Sequence, residues 1–192
     1  MKGDVTKERI LFEGAKIVHL KGYHATGLQE ILKTAGVPKG SFYFYFSSKK
    51  NFGLQLIDYY TDGIIHRAKK FMDRTDLSPI ERFQEHIRWI INQSAKLGFK
   101  GGCPIGNLSQ ELGDTDEAFR EKLNDAYQRL IQVHATFLEE AQKEGEISPD
   151  QDVSQLAELV YNCYQGALIQ MKVARSAESV EKLEQTLFRL IS

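Results

Sequence analysis

The chain has 192 residues, of which 42% are hydrophobic and 27% are charged, and its formal net charge is −1. This length and composition are typical of a folded protein of one or two domains, and the sequence contains no internal repeat or low-complexity tract. It has no apolar segment of a signal peptide or membrane span, and its two cysteines do not make a disulfide framework. The sequence therefore predicts a cytoplasmic protein without a membrane partner.

The small net charge conceals an uneven distribution along the chain. Residues 1–52 contain nine Lys or Arg and four Asp or Glu, a net charge of +5. The rest of the chain contains 16 basic and 22 acidic residues, a net charge of −6. A basic segment followed by an acidic one favours contact between the first fifty residues and a polyanion.

Three helices are predicted within the basic segment. Apolar residues recur every three or four positions over about Thr6–Leu20, which predicts a first helix that ends at Gly22. Thr26 is the predicted N-cap of a short second helix, and Gly36 is predicted to end that helix in the left-handed conformation. Pro38 is predicted to be the first residue of a third helix, because the missing N–H costs nothing there.

The third predicted helix contains the uninterrupted aromatic row FYFYF. By β-propensity alone this row would be a strand. A helix explains it better, because Phe42 and Phe46 are four residues apart and share one inward face, whereas a strand would have no partner. Tyr43 and Tyr45 are then expected to point away from the core, on the side of Lys39.

The remaining segments also have helical periodicity, so the sequence predicts an all-α fold. Prolines and aspartates supply several of the helix starts. The predicted helices cover about Phe52–Met72, Pro79–Leu97, Pro104–Leu112, Asp116–Lys143 with Asp116 as its cap, Asp152–Ala174 with Asp152 as its cap, and Ser179–Ile191.

Two short helices joined by an Ala-Gly-Val turn predict a helix-turn-helix, whose second helix enters the major groove of DNA. The segment ATGLQEILKTAGVPKGSFYFYFSSKKNF resembles the DNA-binding domain of the TetR family of bacterial regulators, over about residues 5–55. The resemblance implies a DNA-binding domain over residues 1–51 and a helical ligand-binding and dimerisation domain over residues 52–192. It also implies a homodimeric repressor that binds a palindromic double-stranded DNA operator and is released by an unknown small-molecule effector.

Eight residues of this segment are expected to contact DNA. Lys39 adds charge at a helix N-terminus, which itself attracts phosphate, and Gly40 permits a close approach to the duplex. Tyrosine and serine hydroxyls can bond to the phosphate backbone or to base edges. The family resemblance adds two phosphate contacts and one base contact, from Thr26, Lys49 and Gln29 respectively. The full set is Thr26, Gln29, Lys39, Gly40, Ser41, Tyr43, Tyr45 and Lys49.

Two residues depart from the usual pattern of the family. Phe44 replaces a polar aromatic or basic residue, so it is expected to make apolar contacts only. Pro38 replaces a frequent Ser or Thr, which removes one possible phosphate contact. The amino-acid sequence therefore does not predict the base sequence of the operator.

The C-terminal segments have no catalytic signature, phosphate-binding loop or metal-ligand spacing, so the sequence predicts no enzyme activity, cofactor or metal site. The last two predicted helices are amphipathic and contain the small residues Gly166 and Ala167. We expect them to pack against a second copy as a four-helix bundle. The residues expected to line an effector pocket are Trp89, Phe99, Cys103, Asn107, Tyr127, Tyr164 and Met171.

Cys103 lies in the segment GGCPIGNLSQELG, directly before a proline-started helix whose dipole can lower the pKa of a thiol. Asn107 and Glu111 form a polar stripe on that helix. The segment resembles a subgroup of TetR-like regulators with a Gly-Cys motif, some of which respond to electrophiles or oxidants. Three interpretations stay open: Cys103 is a thiol sensor, a structural residue, or the nucleophile of a cysteine-dependent enzyme or binding module paired with His66 or His86.

Overall fold

The computed structural model describes residues 2–191, and the side chains of residues 5–191. Within that range the chain forms nine α-helices and no β-strand, so the predicted all-α fold is confirmed. The helices are α1 Lys2–Lys21, α2 Leu28–Ala35, α3 Lys39–Tyr45, α4 Lys49–Met72, α5 Pro79–Lys96, α6 Pro104–Leu112, α7 Glu117–Lys143, α8 Val153–Ala174 and α9 Glu178–Ile191.

Several helix ends lie where local chemistry predicts them. Gly36 ends α2 with a φ of 61° in the left-handed region. The side chain of Asp152 caps α8 by accepting a hydrogen bond from the Gln155 N–H at 3.1 Å. Asp116 likewise accepts one from the Ala118 N–H at 3.0 Å, at the start of α7. Local signals were therefore sufficient at these positions.

The predicted cap of α2 is wrong. Gly27, rather than Thr26, occupies the N-cap position, and no side chain caps this helix. The hydroxyl of Thr26 instead donates a hydrogen bond back to the Gly22 carbonyl oxygen at 2.6 Å. The first helix is also longer than predicted, since α1 begins at Lys2 and not at Thr6.

Two further helix starts are shifted. Pro38 is the N-cap of α3 and not its first helical residue. The next helix, α4, begins at Lys49, three residues before the predicted start at Phe52. The Ser48 hydroxyl satisfies the N–H of Asn51 at 3.0 Å, which provides a helix start that the prediction did not use.

The chain divides into two compact units. Unit 1 comprises the residues up to Asp62 together with Pro104–Ala126, and unit 2 comprises Gly63–Cys103 and the residues from Tyr127 onward. Unit 1 therefore combines α1, α2, α3 and part of α4 with α6 and the first part of α7. The domain boundary after residue 51 stays a prediction.

An aromatic cluster lies at the centre of unit 1. Phe42, Phe46 and Phe52 have no exposed surface, and their ring centroids are 5.0 to 5.9 Å apart. Each buried phenylalanine stabilises the fold by about 1.5–3 kcal/mol. The inward orientation predicted for Phe42 and Phe46 is confirmed, and it anchors the short helix α3 to the rest of the unit.

Unit 2 has its own core, which includes two buried histidines. The rings of Phe83 and Phe137 stack with centroids 4.9 Å apart, His86 stacks on Phe137 at 5.8 Å, and His134 meets Phe83 edge-on at 5.4 Å. Burial lowers the pKa of His86 to about 3 and that of His134 to about 4, so both imidazoles are neutral at pH 7. Across residues 2–191, every helix is too short or too polar to cross a bilayer.

Candidate functional site

Two helices and their turn form the helix-turn-helix in unit 1. After α2, the chain turns at Gly36, and the Val37 N–H bonds to the Leu32 carbonyl oxygen at 3.1 Å. This closes the helix end and directs the chain into α3. Ile31 and Leu32 of α2 and Phe42 of α3 are all buried.

The outward face of α3 is centred on Phe44. An α-helix turns about 100° per residue, so Phe44 lies about 160° around the helix from Phe42, opposite the buried side. Its ring is 80% exposed, the largest exposed fraction among the large hydrophobic side chains that the structure describes. Gly40, one turn earlier, lies on the same face, and a Cβ atom placed there would meet no atom within 4 Å.

The predicted contact residues of α3 flank this centre. Lys39 is exposed, and its ammonium lies 5.9 Å from the centroid of the Tyr43 ring, which is 49% exposed. Ser41 and Tyr45 are half-buried on the opposite flank. This face therefore combines an aromatic centre with a cation and three hydroxyls, a combination suited to DNA phosphates and base edges.

Of the contact residues predicted outside α3, Gln29 is exposed on α2, whereas Thr26 is fully buried. The Thr26 hydroxyl has no surface to offer to a phosphate. Lys49 is half-buried, and its ammonium donates a hydrogen bond to the Tyr23 carbonyl oxygen at 2.9 Å and lies 4.6 Å above the Tyr23 ring. Burial lowers the pKa of Lys49, while the nearby Glu111 raises it to a smaller extent.

Glu111 is a structural residue of this unit that the sequence did not reveal. Its carboxylate accepts hydrogen bonds from the main-chain N–H groups of Tyr23 and His24, at 2.8 and 2.5 Å. The partners are 88 and 87 residues away in sequence. The prediction recognised Glu111 only as part of a polar stripe on α6, because nothing local indicates where that stripe is directed.

The residues predicted to line an effector pocket are distributed over both units. Asn107 belongs to α6 in unit 1, and the other six belong to unit 2. Met171 and Tyr164 are buried, whereas Trp89, Phe99 and Tyr127 are half-buried. Their assignment to a pocket stays a prediction.

Unit 2 contains a small internal cavity of about 10 Å³, room for roughly one water molecule. Tyr164, His134 and Glu184 are among its lining residues. The Tyr164 hydroxyl is buried and has no hydrogen-bond partner among the described residues. Burial, with a smaller contribution from Cys103, raises the pKa of Tyr164, so the hydroxyl stays protonated and can donate.

Cys103 is half-buried in unit 2 and accepts a hydrogen bond from the side-chain amide of Gln165 at 3.4 Å. Of the two histidines considered as its catalytic partner, His66 is exposed and His86 is enclosed by the rings of Phe71 and Phe137. An imidazole whose pKa is lowered to about 3 is a poor base at neutral pH. In the described part of the chain, no three His, Cys, Asp or Glu side chains are grouped as metal ligands.

The last two helices carry a row of exposed apolar residues. Leu159, Ile169 and Val173 on α8 are 58%, 56% and 79% exposed, and Leu190 on α9 is 71% exposed. Gly166 lies on the same face of α8, and nothing lies within 4 Å of a Cβ atom placed there. An apolar face of this kind is typical of a protein–protein interface.

Two family models match the chain. The model described as "Bacterial regulatory proteins, tetR family" matches residues 10–54, and therefore includes α2 and α3. The model described as "Tetracyclin repressor-like, C-terminal domain" matches residues 79–187, which is more than half of the chain. Residues 55–78, between the two matched ranges, include most of α4.

Two similar proteins match this chain over most of its length. The transcriptional regulator AcuR of Cereibacter sphaeroides is 37% identical over 179 residues, covering 91% of this chain and 81% of AcuR. The repressor NemR of Escherichia coli is 30% identical over 176 residues, covering 92% of this chain and 88% of NemR.

Solved structures agree in fold. The crystal structure of a regulatory protein TetR from Rhodobacter sphaeroides has a TM-score of 0.90 at 33% identity, covering 96% of this chain and 98% of that protein. The reduced form of Escherichia coli NemR has a TM-score of 0.89 at 28% identity, covering 97% of both chains. Each likeness extends over the helix-turn-helix and the C-terminal helices.

Proposed function

Because the chain belongs to the tetR family of bacterial transcriptional regulators, we propose that it is a repressor that binds a palindromic operator as a homodimer. The observation that carries this proposal is the outward face of α3, where Phe44 and Gly40 form the centre and Lys39 and Tyr43 lie beside them. The inward phenylalanines hold this face in place. Since a bacterial operator lies in the cytoplasm, the proposal places the protein there.

The proposed contact set follows exposure and chemistry. Lys39 and the hydroxyls of Ser41, Tyr43 and Tyr45 are assigned to phosphates and base edges, and Gln29 to a base. Thr26 is omitted because its side chain is buried. Lys49 is assigned a supporting role, since its ammonium is bonded to a carbonyl oxygen of the turn between α1 and α2.

Dimerisation is proposed through the exposed apolar face of α8 and α9. Two copies that bury Leu159, Ile169, Val173 and Leu190 would form a four-helix bundle with two-fold symmetry. The two copies of α3 would then contact half-sites one helical turn apart, ~34–36 Å along the DNA. The symmetry of the operator follows from that of the dimer.

Release is proposed to follow from binding of a small molecule among the C-terminal helices. Its binding would enlarge the water-sized cavity beside Tyr164, whose buried hydroxyl is a donor without a partner among the described residues. The helix α4 contributes residues to both compact units, so it is the proposed connection between effector and DNA. When the effector binds, it shifts the dimer toward a conformation in which the spacing of the two α3 helices does not match that of the operator half-sites.

A gel shift with the duplex upstream of the protein's own gene tests this function. We expect saturable binding that weakens steeply as salt increases, because phosphate contacts release counterions. Selection from randomised duplexes should yield a palindrome. Failure of the protein to bind any duplex selectively at low salt would contradict the proposal.

A second candidate function is thiol sensing by Cys103, favoured by the Gln165 side chain that donates a hydrogen bond to the sulfur. A donor of this kind stabilises a thiolate more than a thiol. Oxidation or alkylation of Cys103 would then release the operator. A cysteine-dependent enzyme is less favoured, because the buried His86 is a poor base.

The matched variants Cys103→Ser and Cys163→Ser test the thiol candidate. Cys163, the second cysteine, lies on α8, so it controls for the loss of a thiol elsewhere in unit 2. We expect an electrophile to release the wild type and Cys163→Ser from DNA, but not Cys103→Ser. If Cys103→Ser is released equally, the thiol candidate is wrong, whereas the DNA-binding proposal is unaffected.

A further inference from the structure

Phe44 has an unusual position for an apolar ring. It is 80% exposed, and the ring contact that it makes is with Tyr45, edge-on, at 4.9 Å. The flanking Tyr43 and Tyr45 carry hydroxyls, whereas the residue at the centre of the face has no polar atom in its side chain. The surface that lies nearest to a docked partner is therefore apolar.

Close approach is possible on this face because Gly40 lies one turn before Phe44. Open space surrounds the position where a Cβ atom of Gly40 would be, so no side chain separates the helix from a partner. When α3 lies in a major groove, the side chains on its outward face can reach the base edges. Phe44 lies at the centre of that face.

Among the base edges of the major groove, one group is apolar and can pack against such a ring. The phosphates and the base-edge donors and acceptors are polar, whereas the C5-methyl group of thymine is apolar. We propose that Phe44 is a specificity-determining residue that contacts a thymine methyl group in each operator half-site. This inference rests on the proposed DNA-binding function.

Replacement of thymine by deoxyuridine in the selected operator tests the contact, because it removes the methyl group and leaves the base pair intact. At one thymine position per half-site, we expect deoxyuridine to weaken wild-type binding about fourfold, and about fifteenfold when both half-sites are changed. At the other thymines, we expect no comparable loss. Fluorescence anisotropy measures each dissociation constant.

A double-mutant cycle assigns the effect to Phe44. Phe44→Ala should bind the thymine and deoxyuridine operators equally at the sensitive position, because the partner of the methyl group is gone. Phe44→Leu should retain part of the discrimination. Phe12→Ala removes another exposed aromatic ring, 51% exposed on α1, and should keep the full wild-type profile.

Each remaining outcome is decisive. Tight and selective binding that tolerates deoxyuridine at every position would overturn the contact while leaving the proposed function intact. Equal discrimination by wild type and Phe44→Ala would assign the methyl group to another residue and also overturn it. Absence of selective DNA binding by the wild type would instead refute the proposed function.

Discussion

The carboxylate of Glu111 in α6 accepts a hydrogen bond from the main-chain N–H of Tyr23, with 2.8 Å between the two atoms. The second carboxylate oxygen accepts one from the next N–H, that of His24. On the other side of the same peptide segment, Lys49 donates to the Tyr23 carbonyl oxygen. Two side chains distant in sequence therefore hold the turn between α1 and α2, which sets the position of the helix-turn-helix within unit 1.

Removal of this carboxylate should destabilise unit 1. Glu111→Ala leaves two main-chain N–H groups without their acceptor, and we expect the free energy of unfolding to fall by about 1–3 kcal/mol. Glu111→Gln keeps one acceptor oxygen, so its free energy of unfolding should lie between those of the wild type and Glu111→Ala. Urea unfolding measures the change. Gln110→Ala, at an exposed neighbour on α6, is the matched control, and an equal effect of Gln110→Ala and Glu111→Ala would refute the role of the carboxylate.

Two glycines in helices should respond oppositely to alanine. A Cβ atom at Gly14 would lie 2.5 Å from the buried ring of Phe52, whereas one at Gly63 would meet nothing within 4 Å. Alanine is the better helix former by about 1 kcal/mol. Gly63→Ala should therefore raise the melting temperature, and Gly14→Ala should lower it despite the same gain in propensity. Thermal unfolding followed by circular dichroism checks the sign of both changes.

Stability should decrease in mild acid because of the two buried histidines. Burial lowers the pKa values of His86 and His134 to about 3 and about 4, below the 6.5 of a free imidazole. Below pH 6.5 the unfolded chain therefore binds protons that the folded chain does not. We expect the free energy of unfolding to fall as the pH decreases from about 6.5 to 4, by at most about 1.4 kcal/mol per pH unit for each histidine, with no contribution above pH 7.

A ring substitution isolates one of these contributions. His86→Phe keeps a flat ring between Phe71 and Phe137 but removes the titrating group, so the dependence of stability on pH should become shallower. His66→Ala, at an exposed histidine, is the matched control for the loss of an imidazole. Unfolding by urea at a series of pH values gives the slopes, and an unchanged slope in His86→Phe would show that this imidazole does not titrate as described.

A charge on the exposed face of α8 should abolish dimerisation. Val173 is 79% exposed. In the proposed four-helix bundle, a glutamate at this position would be buried near the same glutamate of the second protomer, which leaves two like charges without a counter-ion. Val173→Glu should sediment as a monomer of 21.9 kDa, whereas the wild type should have twice that mass. Leu97→Glu alters another exposed apolar residue outside α8 and α9 and should remain dimeric. A dimeric Val173→Glu would place the interface elsewhere.

Sequence reasoning succeeded where the determining contacts are local. Gly36 and Asp152 act on their own helix ends, and the four-residue spacing of Phe42 and Phe46 defines an inward face. It failed at Thr26 although the determining contact is also local, because the hydroxyl donates back to the Gly22 carbonyl oxygen and does not cap α2.

The exposure of individual side chains on α3 was harder to predict than the core. The tyrosines were chosen for their hydroxyls, yet the helical angle places Phe44 farthest from the core and leaves Tyr45 half-buried. The tertiary partners of Lys49 and Glu111 could not be predicted, because they come from residues 26 and 88 positions away. Contacts at such separations depend on how the helices of unit 1 pack, which local patterns do not determine.

The most direct test of the account is the DNA affinity of Gly40→Leu. Open space surrounds Gly40 in the free protein, and leucine favours a helix more than glycine does, so the melting temperature should be equal or higher. If the outward face of α3 lies on DNA, the added side chain prevents close approach, and operator binding measured by fluorescence anisotropy should weaken at least tenfold. Unchanged affinity of a folded Gly40→Leu would contradict the claim that this face binds the operator.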